Sequence, residues 1–145
     1  MEVYEIKQNI LYNENLKDEL IADQRNIEKA LEEQEALEKV FNKKIEQVYE
    51  SVTVKKRRLD LGISTLTDHI ILQKYAEGMK ELLSGSQFTH TMEGLTEAKR
   101  QIRSKMMETI AKLDECEEQI NYRSGRITYW KQELRKKQME ELDNE

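Results

Sequence analysis

Residues Phe88 to Leu134 have the sequence FTHTMEGLTEAKRQIRSKMMETIAKLDECEEQINYRSGRITYWKQEL, which carries the most regular apolar spacing in the chain. With Phe88 at position d of a heptad, eleven of the fourteen a and d positions are apolar or cysteine. This pattern predicts a coiled-coil seam rather than a helix of a globular core. The polar exceptions are expected to weaken the seam and to disfavour wrong registers. The d series is Phe88, Leu95, Ile102, Thr109, Cys116, Arg123 and Trp130, and the a series is Met92, Lys99, Met106, Leu113, Ile120, Ile127 and Leu134.

The N-terminal segment carries a looser stripe of the same kind. Asp23 and Gln34 interrupt it at seam positions, so a wandering contact face is expected. Leu11, Ile21 and Leu31 widen the stripe. Its members, spaced mostly by three or four residues, are Val3, Ile6, Ile10, Leu16, Leu20, Ile27, Ala30, Leu37, Phe41, Ile45, Val48 and Val52.

Two breaks separate the stripes. At Asp60–Ser64, Gly62 can end the first helix. Ser64 or Thr65 can cap the next helix, and Asp68 lies at capping-box spacing from Thr65. The second break is Ser84–Gln87. A short helix is predicted between them, with one apolar face formed by Leu66, Ile70, Tyr75 or Ala76, Met79 and Leu83.

The predicted architecture is all-α: a single elongated domain over residues 1–145, with helices at about 4–58, 65–83 and 88–140. The long helices would each measure on the order of 80 Å, and their matched lengths favour a long antiparallel helical hairpin, a coiled coil with the short third helix between them. An open rod whose seams close only on another chain is equally compatible with the pattern.

Composition excludes several other classes. Charged residues make up 37% of the chain and proline is absent, which favours long helices with narrow apolar stripes over a compact core. The net charge of −5 comes from closely interspersed acidic and basic residues. A surface that binds nucleic acid would instead carry a basic patch. The basic block at residues 55–58 is best explained as favourable cations at a helix end.

Neither a membrane span nor a signal peptide is expected. The single cysteine, Cys116, is typical of a protein that is made in a reducing cytoplasm. Export of the folded protein without a cleavable signal peptide is left open.

No catalytic, cofactor-binding or metal-binding residue is predicted. His69 and His90 lack a second ligand at metal spacing, and Cys116 lies among acidic residues that would raise its pKa. A non-enzymatic binding protein is therefore expected.

The predicted partner surface lies on the last helix, where aromatic residues and arginines concentrate as they do at binding hot spots. Trp130 could equally pack over the first helix near Ile10 and Leu11. A homodimer is a further possibility, because the seams could close between copies. The predicted interface residues are Phe88, Met92, Leu95, Met106, Leu113, Tyr129, Trp130 and Leu134.

Leu83-Ser84-Gly85 has the L-x-G form, similar to the W-x-G hairpin turn of small helical proteins of Gram-positive type VII secretion, with leucine in place of tryptophan. The segment from Phe88 to Lys137 resembles the LXG-associated helical (Lap-type) accessory proteins of that system. Tyr129 and Glu133 match the Y-x-x-x-D/E form of a type VII export signal. The resemblance implies an adaptor that binds the helical N-terminal domain of an LXG toxin and acts as its chaperone and targeting factor.

Two alternatives fit the same helices. The chain also resembles the FliJ-type stalks of flagellar and type III export, which are charged antiparallel hairpins and would imply an export ATPase as partner. A self-associating structural coiled coil is the other alternative.

Overall fold

Regular structure is α-helical throughout the computed structural model, which describes residues 1–65 and 70–145. Helix α1 spans Val3–Thr65, α2 spans Ile70–Ser84 and α3 spans Ser86–Asp143. No strand occurs among the described residues. The expected all-α class is therefore confirmed, with one short helix between two long ones.

Helix α1 begins with a capped first turn. The Glu2 carbonyl accepts a hydrogen bond from the Ile6 N–H at 3.1 Å. The Glu5 carboxylate in turn accepts one from the Glu2 N–H at 3.0 Å. This second contact is the reverse half of a capping box, and the acidic side chain also suits the positive end of the helix dipole.

The predicted break at Asp60–Ser64 is wrong, because α1 continues to Thr65. A single glycine such as Gly62 costs a helix only up to about 1 kcal/mol, and no proline stops the chain. The basic block at residues 55–58 consequently lies inside α1 and not in its last turn, so the helix-end explanation for it is also wrong. Two of the expected features lie outside the described residues: the capping by Asp68 and the contribution of Leu66 to the apolar face. His69 lies outside them too.

The junction between α2 and α3 is the single residue Gly85, narrower than the predicted break of four residues. Its carbonyl accepts the first hydrogen bond of α3 from the Thr89 N–H at 3.1 Å. A Cβ at this position would lie only 2.6 Å from the carbonyl oxygen of Glu81. The turn therefore needs glycine because of a close backbone approach, and its φ is not positive.

One compact unit consists of Met1–Glu33 and Met106–Glu145. Within it, Cys116 Sγ lies 3.2 Å from the Leu20 carbonyl oxygen, and Arg123 Nη1 lies 3.1 Å from Asn13 Oδ1. Seven residues forward on α3, from 116 to 123, correspond to seven residues back on α1, from 20 to 13. The first and last helices are thus antiparallel in this unit, as predicted.

The same register places Trp130 opposite Ile6 rather than near Leu11. Ile6 is the most buried residue in the unit, at 3% exposure, whereas Leu11 is 50% exposed. Trp130 is half-buried. The register therefore favours the alternative in which Trp130 packs on the first helix, near Ile6. Of the two neighbours expected, Ile10 is half-buried and Leu11 is exposed.

The second compact unit is Gln34–Lys105, and it contains the end of α1, all of α2 and the start of α3. The rings of Tyr49 and Phe88 meet edge to face with centroids 6.0 Å apart. Arg103 Nε lies 3.5 Å from Glu38 Oε1. These contacts join α1 and α3 in antiparallel order within this unit too.

In the same unit, α2 turns a face of Ala76, Met79 and Leu83 inward, and these residues are buried or half-buried. Lys80 on α2 forms an ion pair with Asp60 on α1. The expected inward position of Ile70 is wrong, since it is strongly exposed, and of the two candidates at the next turn Ala76 is buried while Tyr75 is exposed.

Burial along α3 follows the predicted heptads closely. All fourteen a and d positions from Phe88 to Leu134 are buried or half-buried, including the polar exceptions Lys99, Thr109 and Arg123. On α1 the buried positions depart from the predicted stripe. Gln34 and Glu38 are half-buried there, whereas Leu37 is exposed. No described side chain is less than 2% exposed, so the apolar surface is buried as narrow seams and not as a compact core.

Candidate protein-interaction surface

The first component of the candidate surface is a buried polar junction between α1 and α3. Asn13 is 4% exposed, donates from Nδ2 to the Asn9 carbonyl oxygen at 2.7 Å and accepts from Arg123 on Oδ1. The Arg123 guanidinium carbon also lies 6.0 Å from the centroid of the Tyr12 ring and 5.2 Å from that of the Tyr122 ring. Arginine thus enters the seam because its charge has an amide acceptor and two aromatic faces.

The second component lies along α3 one turn further on. The Arg126 guanidinium carbon is 5.0 Å from the Tyr129 ring centroid and 5.3 Å from that of Trp130. The two rings meet edge to face, with centroids 5.0 Å apart. Spacings of three and four residues put all three side chains on adjacent positions of one helix surface, where the contacts restrict their rotamers.

Together these residues form what we call the aromatic–arginine patch. Its tyrosines are well exposed, whereas Trp130 and both arginines are half-buried and anchored in the seam. Exposed rings held by partly buried cations present large apolar area at low entropic cost, the combination found at binding hot spots. The patch consists of Tyr12, Tyr122, Arg123, Arg126, Tyr129 and Trp130.

Exposed aromatic and apolar surface continues from Tyr12 towards the N-terminus of α1. A shallow groove there has Met1 and Tyr4 as its other large exposed side chains. They recur with Tyr12 at helical spacing, so they extend the patch along α1. The groove is lined by Met1, Tyr4, Glu5, Gln8, Asn9 and Tyr12.

Most of the interface residues expected from the sequence lie in the seams. Met92 is buried, and the others apart from Tyr129 are half-buried: Phe88, Leu95, Met106, Leu113, Trp130 and Leu134. Of the expected set, only Tyr129 and Trp130 belong to the patch. The role of all eight as partner contacts stays a prediction.

The motif residues occupy different environments. Tyr129 of the Y-x-x-x-E match is 45% exposed, and Glu133 is half-buried and pairs with Lys136 at 3.2 Å. Leu83 and Gly85 of the L-x-G match are half-buried at the α2–α3 junction.

Cys116 has the properties of a structural thiol. It is 7% exposed and its Sγ donates a hydrogen bond to the Leu20 carbonyl oxygen at 3.2 Å. Burial raises the pKa of the thiol, and the carboxylates of Asp23 and Glu117 raise it further. The predicted direction of this pKa shift is confirmed, although burial contributes more than the neighbouring acidic residues.

Sequence reasoning missed Tyr12 and Asn13. Tyr12 lies beside the irregular stripe of α1 and Asn13 lies in line with it, and only the register between the helices brings them to Arg123. An asparagine at a position in line with the stripe was the one available signal, since such residues often specify register in coiled coils.

Among the residues that the structure describes, no group of three His, Cys, Asp or Glu is placed to hold a metal ion. In the same part of the chain, no helix is long and apolar enough to cross a bilayer. His90 is exposed on the first turns of α3.

Comparison with known proteins identifies no relative: no family model matches the chain, and no curated protein or solved structure is significantly similar to it. The resemblance to type VII accessory proteins therefore stays a prediction.

Proposed function

We propose that this protein is a non-catalytic helical adaptor that binds a helical segment of another protein through the aromatic–arginine patch. The supporting observation is the arrangement of Arg126, Tyr129 and Trp130, in which a cation and two rings contact one another within 5.3 Å on a helix surface. Trp, Tyr and Arg dominate binding energy at protein interfaces because they combine large apolar area with directional polar groups.

The mode of binding follows from the seams, whose side chains already pack against one another within the chain. The a and d side chains of α3 are buried or half-buried within the chain, so a partner would add alongside the helix pair and leave the seam closed. A partner helix with apolar and acidic residues would suit this flank, because Arg126 supplies positive charge beside the rings.

For the partner's identity, we infer the helical N-terminal domain of a type VII LXG toxin, with a chaperone and targeting role. This inference relies on the L-x-G turn at Leu83–Gly85 and on the Tyr129–Glu133 motif. Tyr129 would then serve both the export motif and the patch.

Co-expression tests the proposal directly. The chain would be produced with the helical N-terminal domain of an LXG toxin, chosen from the neighbouring genes. Complex formation would be measured by co-purification and calorimetry. Tyr129→Ala and Trp130→Ala should each weaken binding by more than tenfold, as hot-spot truncations of about 2 kcal/mol do.

Met107→Ala is the matched control, because Met107 is a large exposed residue of α3 outside the patch. Its affinity should stay within about twofold of the unchanged protein. The toxin assignment is wrong if the two proteins do not co-purify. The patch assignment is wrong if they do and Tyr129→Ala and Met107→Ala have equal effects.

A further inference from the structure

Helix α2 carries more apolar surface than its own unit covers. Its inward face holds Ala76, Met79 and Leu83. On the outward side, Ile71 is 84% exposed, Tyr75 66% and Leu82 67%. Positions 71, 75, 78 and 82 follow helical spacing, so these side chains form one stripe with Gly78 between them.

Gly78 opens the middle of this stripe. Apart from its chain neighbours and the adjacent backbone of α2, no described atom lies within 4 Å of the position that a Cβ on Gly78 would occupy. The gap lets a second helix approach closely, with Tyr75 and Leu82 projecting on either side of it. A helix normally disfavours glycine by up to about 1 kcal/mol relative to alanine, but the missing side chain leaves room for a close helix–helix approach.

The charges beside the stripe indicate which helix would pack there. Lys74 and Glu81 are exposed and lie along the same edge of the stripe, one heptad apart and on opposite sides of Gly78. If a second α2 packs antiparallel about a two-fold axis at Gly78, Lys74 of each copy faces Glu81 of the other. The same operation sets Tyr75 of one copy against Leu82 of the other.

We propose that the exposed stripe of α2 is a homodimer interface, in which two copies of this chain pair antiparallel across Gly78. Such an interface is isologous, since each residue contact occurs twice. A parallel pairing would lack the two Lys74–Glu81 contacts. Because a helix of 15 residues buries less than a standard interface, the expected dimer is weak, with a Kd on the order of 10–100 µM.

Sedimentation equilibrium of the full chain, from about 5 µM to about 1 mM, measures this association. Lys74→Glu and Glu81→Lys should each weaken the dimer by roughly tenfold, because each change replaces two attractive contacts by two repulsive ones. The double variant Lys74→Glu/Glu81→Lys should restore association to within about threefold, because the contacts then exchange sign and remain complementary.

Tyr75→Glu should abolish the dimer, whereas Met107→Glu, a matched change at an exposed position of α3, should leave it intact. Circular dichroism of each variant checks that the helices form. Gly78→Cys in a Cys116→Ala background should give a disulfide-linked dimer on mild oxidation, because the two-fold axis brings the two residues together.

The proposal is overturned by a chain that stays monomeric up to about 1 mM. It is also overturned if the two charge reversals weaken the dimer additively, which would indicate a parallel pairing or a different surface. Association that is insensitive to Tyr75→Glu has the same consequence. These variants lie outside the aromatic–arginine patch, so the outcome is independent of toxin binding.

Discussion

Cys116 is the single cysteine of the chain, and its thiol lies among groups that favour the protonated form. Because burial, Asp23 and Glu117 raise its pKa in the folded state, the folded protein holds the thiol proton to a higher pH than the unfolded chain does. The contribution of the thiol to stability is therefore full below the ordinary thiol pKa of about 8.5 and declines as pH rises above it.

This difference can be measured against Cys116→Ala. Between about pH 7.5 and pH 10, the free energy of unfolding should fall more for the unchanged protein than for the variant. Other titrating groups are common to both and cancel in the comparison. In the folded protein at pH 8, alkylation by iodoacetamide should be at least about tenfold slower than in denaturant. A reactive, low-pKa thiol would reverse both results and would reopen the question of catalysis.

At the scale of the helices, Gly85 decides how α2 passes into α3. Gly85→Ala should lower the free energy of unfolding by about 1–3 kcal/mol, because the new Cβ would lie against the backbone oxygen of Glu81 and the turn would have to shift. Gly94→Ala and Gly125→Ala are matched controls inside α3. No described atom obstructs a Cβ at either one, so both should stabilise the protein by up to about 1 kcal/mol.

Urea denaturation of the three variants provides the measurement. If Gly85→Ala were as stable as the controls, the turn would not depend on the close approach to Glu81.

The helices differ in how far their sequence predicts them. All the a and d positions predicted for α3 from Phe88 to Leu134 are buried or half-buried, because a heptad repeat maps directly onto one face of a helix. Apolar spacing failed at Gly62, where the cost of one glycine is smaller than the gain from extending α1. It also misplaced Ile70 and did not choose between Tyr75 and Ala76, because α2 is apolar over more than its buried face.

The candidate surface shows a similar limit. Tyr129 and Trp130 could be identified because they are neighbours in sequence on one helix. Tyr12 and Asn13 could not, since their contacts with Arg123 depend on the register between two helices that are distant in sequence.

For the molecule as a whole, register is the property that apolar spacing leaves open. A heptad seam displaced by seven residues still matches apolar positions with apolar positions. In the unit formed by Met1–Glu33 and Met106–Glu145, such a shift would set Arg123 against Ile6 or Leu20 in place of Asn13. The guanidinium would then lose its buried amide acceptor, which costs more than an apolar mismatch.

The pair of Asn13 and Arg123 should therefore contribute more to a unique register than to stability. Asn13→Leu alone should lower the free energy of unfolding by about 1–3 kcal/mol, because it leaves the Arg123 charge without its acceptor. Asn13→Leu/Arg123→Leu should recover most of that loss, since apolar residues can replace a buried polar pair at little cost. In the double variant, however, residues of this unit should show more than one set of amide resonances as alternative registers become populated. A double variant with a single set of resonances and the original register would show that apolar packing alone specifies the alignment of the two helices.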